Sequence, residues 1–130
     1  MCYEGNSRPA FPVDGNLPLD CPGLTGKTQR ISLGTEAWEF APTCGLDYIG
    51  TFDLLAVLTY RFEDCLRACA SYNRNHGKDD CKAIHFEAHN VYQVTEVNYG
   101  NCWLKNSTGT EKRGGGNTDV AARLIASYWD

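Results

Sequence analysis

Phe62-Glu63-Asp64-Cys65-Leu66-Arg67-Ala68-Cys69-Ala70-Ser71-Tyr72-Asn73-Arg74-Asn75 is the stretch on which the fold turns. Phe62, Cys65, Leu66, Cys69 and Ala70 recur at i, i+3, i+4, i+7 and i+8, the period of one helical stripe. Glu63 and Asp64 fall in the first turn and Arg74 in the last, which complements the helix dipole. Gly77 is a natural stop. The spacing predicts a helix over residues 61–75 whose apolar stripe carries two cysteines one turn apart. Both thiols must then face whatever the helix packs on.

Downstream, Cys81-Lys82-Ala83-Ile84-His85-Phe86-Glu87 alternates in the manner of a strand. A regular pleat points Ile84 and Phe86 one way and Cys81, His85 and Glu87 the other. A β-prone run at 91–97 leads to a turn at Tyr99-Gly100-Asn101. Residues 102–105, Cys-Trp-Leu-Lys, read as a further strand, 106–119 as a solvated, flexible loop, and 120–128 as a strand returning to the sheet. Upstream, 28–33 and 37–43 form a hairpin about Gly34-Thr35. Trp38, Phe40, Pro42 and Cys44 share its core-facing side, and residues 45–50 read as a turn-rich link. Pro9, Pro12, Pro18 and Pro22 leave no room for a long helix or central strand before residue 23.

The whole chain has 130 residues, 42% hydrophobic and 22% charged, which suits one domain with a core of its own. Disorder is excluded by the apolar content and modest charge. So is a membrane span, because the longest apolar runs, such as Leu54 to Leu58, fall far short of ~20 residues. With 12 Lys and Arg against 16 acids, and no basic cluster beyond Lys112-Arg113, nucleic acid is not an expected partner. The seven cysteines lack the spacing of a zinc site, and the sequon Asn106-Ser107-Thr108 lies in a polar stretch. Together they predict an oxidising, extracellular setting with a glycan on Asn106. No leader is visible after Met1, so the expected secreted chain is one from which a leader has been trimmed.

A helix bearing Cys-x3-Cys, a strand opening with Cys, and a strand reading Cys-Trp-Leu-Lys is an order similar to that of the PAN/apple domain. The residues that carry the resemblance are Phe62 to Cys69, Cys81 to Phe86, and Asn101 to Lys105. Cys21-Pro22-Gly23-Leu24-Thr25-Gly26 and Cys44-Gly45-Leu46-Asp47-Tyr48 resemble the opening of the version found in fungal secreted proteins. The match covers about residues 21–127, with Arg61 where a small helix cap is usual and a long 88–101 connection. It implies an α+β domain over 21–130, one helix packed across a curved antiparallel sheet and stabilised by disulfides, behind an N-terminal coil at 1–20.

The resemblance further implies disulfides Cys69–Cys81 and Cys65–Cys102, pinning helix to sheet. Such links contribute about 3 and 4 kcal/mol in the chain-entropy account. Cys21 with Cys44 is the natural third pair. Cys2 is left free, bonded to another chain as a disulfide dimer, or competing for Cys21; we read it as unpaired within the domain.

Chemistry-bearing groups are few. His85, Glu87 and His89 share a strand face, outward if Ile84 and Phe86 face the core. Two imidazoles and a carboxylate suit a divalent metal, but the spacing is not HExxH, so the reading kept is a solvated face without metal or cofactor. No GxSxG occurs, and the Asp79-Asp80 and Glu63-Asp64 pairs are adjacent in sequence rather than set across a cleft. Gly114-Gly115-Gly116 lacks the Lys-Ser/Thr of a phosphate loop. If Cys102 faces the helix, Trp103 and Lys105 face the far side of the sheet. Flat rings with polar tips suit sugar faces and protein hot spots, which makes Trp103, Lys105, Tyr92, Tyr99, His85 and Glu87 the candidate ligand residues, although Trp103 also suits a second core layer. The resemblance implies a non-catalytic recognition module for an extracellular glycan or protein. The alternatives are a small secreted enzyme using the His85/Glu87/His89 face with Asp79, and a structural cell-wall or effector-like protein.

Overall fold

A computed structural model of the chain describes residues 16–89 and 100–130. Among them are one helix and eight strands: β1 (Gln29–Leu33), β2 (Glu36–Cys44), β3 (Leu46–Ile49), β4 (Asp53–Val57), α1 (Phe62–His76), β5 (Ala83–Glu87), β6 (Cys102–Lys105), β7 (Thr110–Arg113) and β8 (Asp119–Tyr128). Six strands make an antiparallel sheet in the order β1-β2-β8-β5-β6-β4, and β3 and β7 pair as a separate ribbon. The class is α+β.

The helix follows its stripe. Phe62, Cys65, Leu66, Cys69 and Ala70 are all buried, and they meet Ile84 and Phe86 of β5, Cys102 and Leu104 of β6, Val120 and Ala122 of β8, and Phe40 of β2 in one core. Complete burial of side chains such as Phe86 or Leu104 is worth roughly 1.5–3 kcal/mol each. Gly77 ends the helix in the left-handed region, at φ 71°, with its N–H donated to the Arg74 carbonyl. The N-cap Arg61 makes no side-chain cap; its guanidinium instead grips Asp64 at 3.2 Å.

Three disulfides are present: Cys21–Cys44, Cys65–Cys102 and Cys69–Cys81, with Cα separations of 5.8, 5.7 and 5.6 Å. The last two bolt successive turns of α1 to opposite ends of β5, since Cys102 stands opposite Phe86 and Cys81 precedes Ala83. Cys81 lies on the helix side with Ile84 and Phe86, not across from them as a regular pleat over 81–87 predicts. The reason is that β5 begins only at Ala83, so Cys81 precedes the pleat and is free to turn under the helix. Buried Asn73 fixes that turn. It accepts the Cys81 N–H at 2.6 Å and donates to the Cys81 carbonyl at 2.9 Å.

Two further expectations are corrected. Residues 45–50 and 106–119 are not merely link and loop, because they contain β3 and β7, paired from Leu46↔Arg113 to Ile49↔Thr110. The ribbon lies over the far face of β5 and β8, where Leu46 and Tyr48 pack on Ala83 and Ala121. Gly45 makes this approach work. Its φ is 72°, and a Cβ there would come within 2.7 Å of the Gly116 carbonyl oxygen. The strand expected at 120–128 is β8, central in the sheet. Leu17, from the segment assigned to an N-terminal coil, is buried in the main core and donates its N–H to the Ala88 carbonyl at 2.8 Å. Cys2 and the run at 91–97 lie outside the described residues.

Candidate functional site

Strand alternation decides what the ribbon covers. On β5, Ile84 and Phe86 go to the helix and His85 and Glu87 to the ribbon; on β6, Cys102 and Leu104 go to the helix and Trp103 and Lys105 to the ribbon. Register then sets His85 opposite Trp103 and Glu87 opposite Asp119. Cross-strand partners stand ~4.5–5.5 Å apart at Cβ, so four functional side chains from three strands meet on one patch.

His85 is the hub. It is 9% exposed, so the solvated face expected for it is corrected: Asp47 of β3, Trp103 and Asp119 close around it. Its ring stacks on Trp103, centroids 5.5 Å apart at 23°. Nε2 lies 2.7 Å from Asp119 Oδ2 and, since a carboxylate accepts, carries the proton. Nδ1 faces Asp47 Oδ1 at 3.7 Å. Lys105, 6% exposed, extends its Nζ to Asp53 at 2.9 Å and Asp47 at 3.8 Å. A buried ammonium is costly unless paired, and two carboxylates meet that need. Asp47, Asp53, His85, Trp103 and Lys105 together line a recess of about 200 Å³. A neighbouring recess of about 280 Å³ shares Asp47 and Asp119 and is edged by Lys112, Arg113, Gly114 and Gly115.

The trio expected on this face is rearranged. His89 is exposed, donates its N–H to Glu87 Oε2 at 2.8 Å, and sets its ring against Asn16. Asp119 takes its place: His85, Glu87 and Asp119 each offer a ligand atom within 4.8 Å of the others, a set that could hold a divalent ion if the His85–Asp119 hydrogen bond gave way. Burial pushes the Glu87 carboxyl above the usual carboxylate range; the bond from the His89 N–H opposes this, and the Asp119 charge reinforces it. Asp79 belongs elsewhere, accepting from Trp38 Nε1 at 3.0 Å and from the Ser127 hydroxyl.

Of the candidate ligand residues, the structure brings Trp103, Lys105, His85 and Glu87 to one face. Tyr92 and Tyr99 lie outside the described residues. Asp47, Asp53 and Asp119 escaped sequence reasoning. Asp119 could have been found by aligning β8 against β5, since it stands opposite Glu87; Asp47 had no signal, because the strand that carries it looked like a link. No family model, curated protein or solved structure matches this chain.

Proposed function

We propose that the chain is a PAN/apple-like extracellular recognition module and that its ligand is a glycan, held in the recess of Trp103, His85, Lys105, Asp47 and Asp53. The single observation that carries this reading is the composition of that recess. An aromatic face, two carboxylate acceptors and an ammonium donor converge in a space the size of one sugar ring. A pyranose needs these features: an apolar face to stack and fixed partners for its hydroxyls. Pre-pairing of Lys105 with Asp53 and of His85 with Asp119 holds the polar groups in place, which lowers the ordering cost of binding. Three intramolecular disulfides fit an oxidising compartment, and among the described residues no helix is long and apolar enough to cross a membrane.

The test is a glycan array probed with the wild-type chain and with Trp103→Ala, each checked for folding by its far-ultraviolet spectrum. The expected result is a defined set of bound glycans whose signal falls at least tenfold in the variant. An empty array, or binding that Trp103→Ala leaves intact, removes the reading.

A further inference from the structure

Among the described residues, the edge strand β4 and its flanks carry exposed apolar side chains. Phe52 is 67% exposed, Leu55 47%, Leu58 46%, and Ile49 at the end of β3 41%. Single exposed apolar residues are ordinary, but several on and around an edge strand invite aggregation unless something covers them. The sequon residue Asn106 stands beside Phe52. It follows β6 directly, its N–H donates to the Phe52 carbonyl at 3.1 Å, and its Oδ1 accepts the Phe52 N–H at 3.1 Å. These reciprocal bonds fix the Asn106 side chain next to Phe52, while the residue stays exposed and its Nδ2 has no partner among the described residues.

We propose that Asn106 carries an N-linked glycan whose first sugar lies against the Phe52 ring and covers the β4 edge. Nδ2 forms a bond to the anomeric carbon of an oligosaccharide donated by a polyisoprenoid diphosphate. The anomeric C–O bond breaks, the diphosphate leaves with the electron pair, and one amide proton passes to solvent. In the folded chain Oδ1 accepts the Phe52 N–H at 3.1 Å, which sets Nδ2 and the sugar it carries beside the ring. The apolar face of an N-acetylhexosamine then stacks on the exposed aromatic surface. Asp53 and Lys105 keep their own ion pair at 2.9 Å and line the recess, which neither Phe52 nor Asn106 does. The inference rests on the secretory-route part of the proposed function but not on its ligand.

The chain is secreted from a eukaryotic host, alongside Thr108→Ala, which destroys the sequon and leaves Asn106 in place. Each is also made with Phe52→Ser. Intact mass should show one glycan, lost in Thr108→Ala. The glycan should raise the melting temperature by about 3 °C with Phe52 present, the scale of one aromatic contact in a domain this size, and should lower hydrophobic-dye fluorescence. In the Phe52→Ser background both effects should vanish. An unoccupied Asn106, or glycan effects of equal size in both backgrounds, overturns the proposal. Nuclear Overhauser contacts between the first sugar and the Phe52 ring in the wild-type glycoprotein give a variant-free reading, and their absence overturns it equally. Array binding by Thr108→Ala reads the recess separately, so the two ideas fail independently.

Discussion

The two faces of the six-stranded sheet are built on opposite terms. Toward the helix, β5 and β6 present Ile84, Phe86, Cys102 and Leu104, all fully buried and closed by two disulfides. Toward the ribbon, the same strands present His85, Glu87, Trp103 and Lys105, joined by Asp119, Asp47 and Asp53. One residue of offset separates a dry core from a charged recess. The difference teaches a division of labour: covalent and apolar contacts on one face hold the strands rigidly enough for the other to keep polar groups pre-aimed.

The largest expected effect comes from breaking the helix side. Replacing Cys65 and Cys102 together by Ala should cost about 4 kcal/mol, a large share of a domain's ~5–15 kcal/mol, and lower the urea midpoint accordingly. A midpoint unchanged within error would mean that the bolts are not what holds this face. Next comes Asp119→Ala on the ribbon side, which leaves His85 Nε2 without its acceptor. A loss of ~1–3 kcal/mol is expected, smaller than for the disulfide. If it exceeded the disulfide loss, the ribbon face would be the main support and the comparison would invert.

The smallest effect sharpens the comparison by pH. Burial raises the Glu87 carboxyl, so the folded chain holds that proton to higher pH than the unfolded chain. Between the two values the native state binds more protons, and stability falls as pH rises. Glu87→Gln is neutral throughout and should remove that fall. A gain of about 1–3 °C in melting temperature is expected at pH 7, with none at pH 3, where both states are protonated. An equal gain at both pH values would tie the effect to packing rather than charge.

The helix side was legible in the sequence because its signals are local. The stripe from Phe62 to Ala70, the alternation of Ile84 and Phe86, and the Cys-Trp-Leu-Lys run each state their own face. The pairing of Cys65 with Cys102 and of Cys69 with Cys81 was what the resemblance to the PAN/apple domain implied. The ribbon side was mostly illegible. Thr110-Glu111-Lys112-Arg113 has no apolar member and all four residues are exposed, so only its pairing with β3 makes it a strand. Once that ribbon was missed, His85 lacked its Asp47 neighbour and read as solvated. Asp119 reaches His85 through a register between segments 34 residues apart, which no local period encodes.

The most direct test of the proposal that the recess binds a glycan is a ¹⁵N-edited NMR titration of the wild-type chain with the strongest glycan from the array. The account predicts shifts at Asp47, Asp53, His85, Lys105 and the Trp103 indole, with the helix Phe62–His76 unmoved. Shifts along the helix or the β4 edge, with the recess silent, would contradict it.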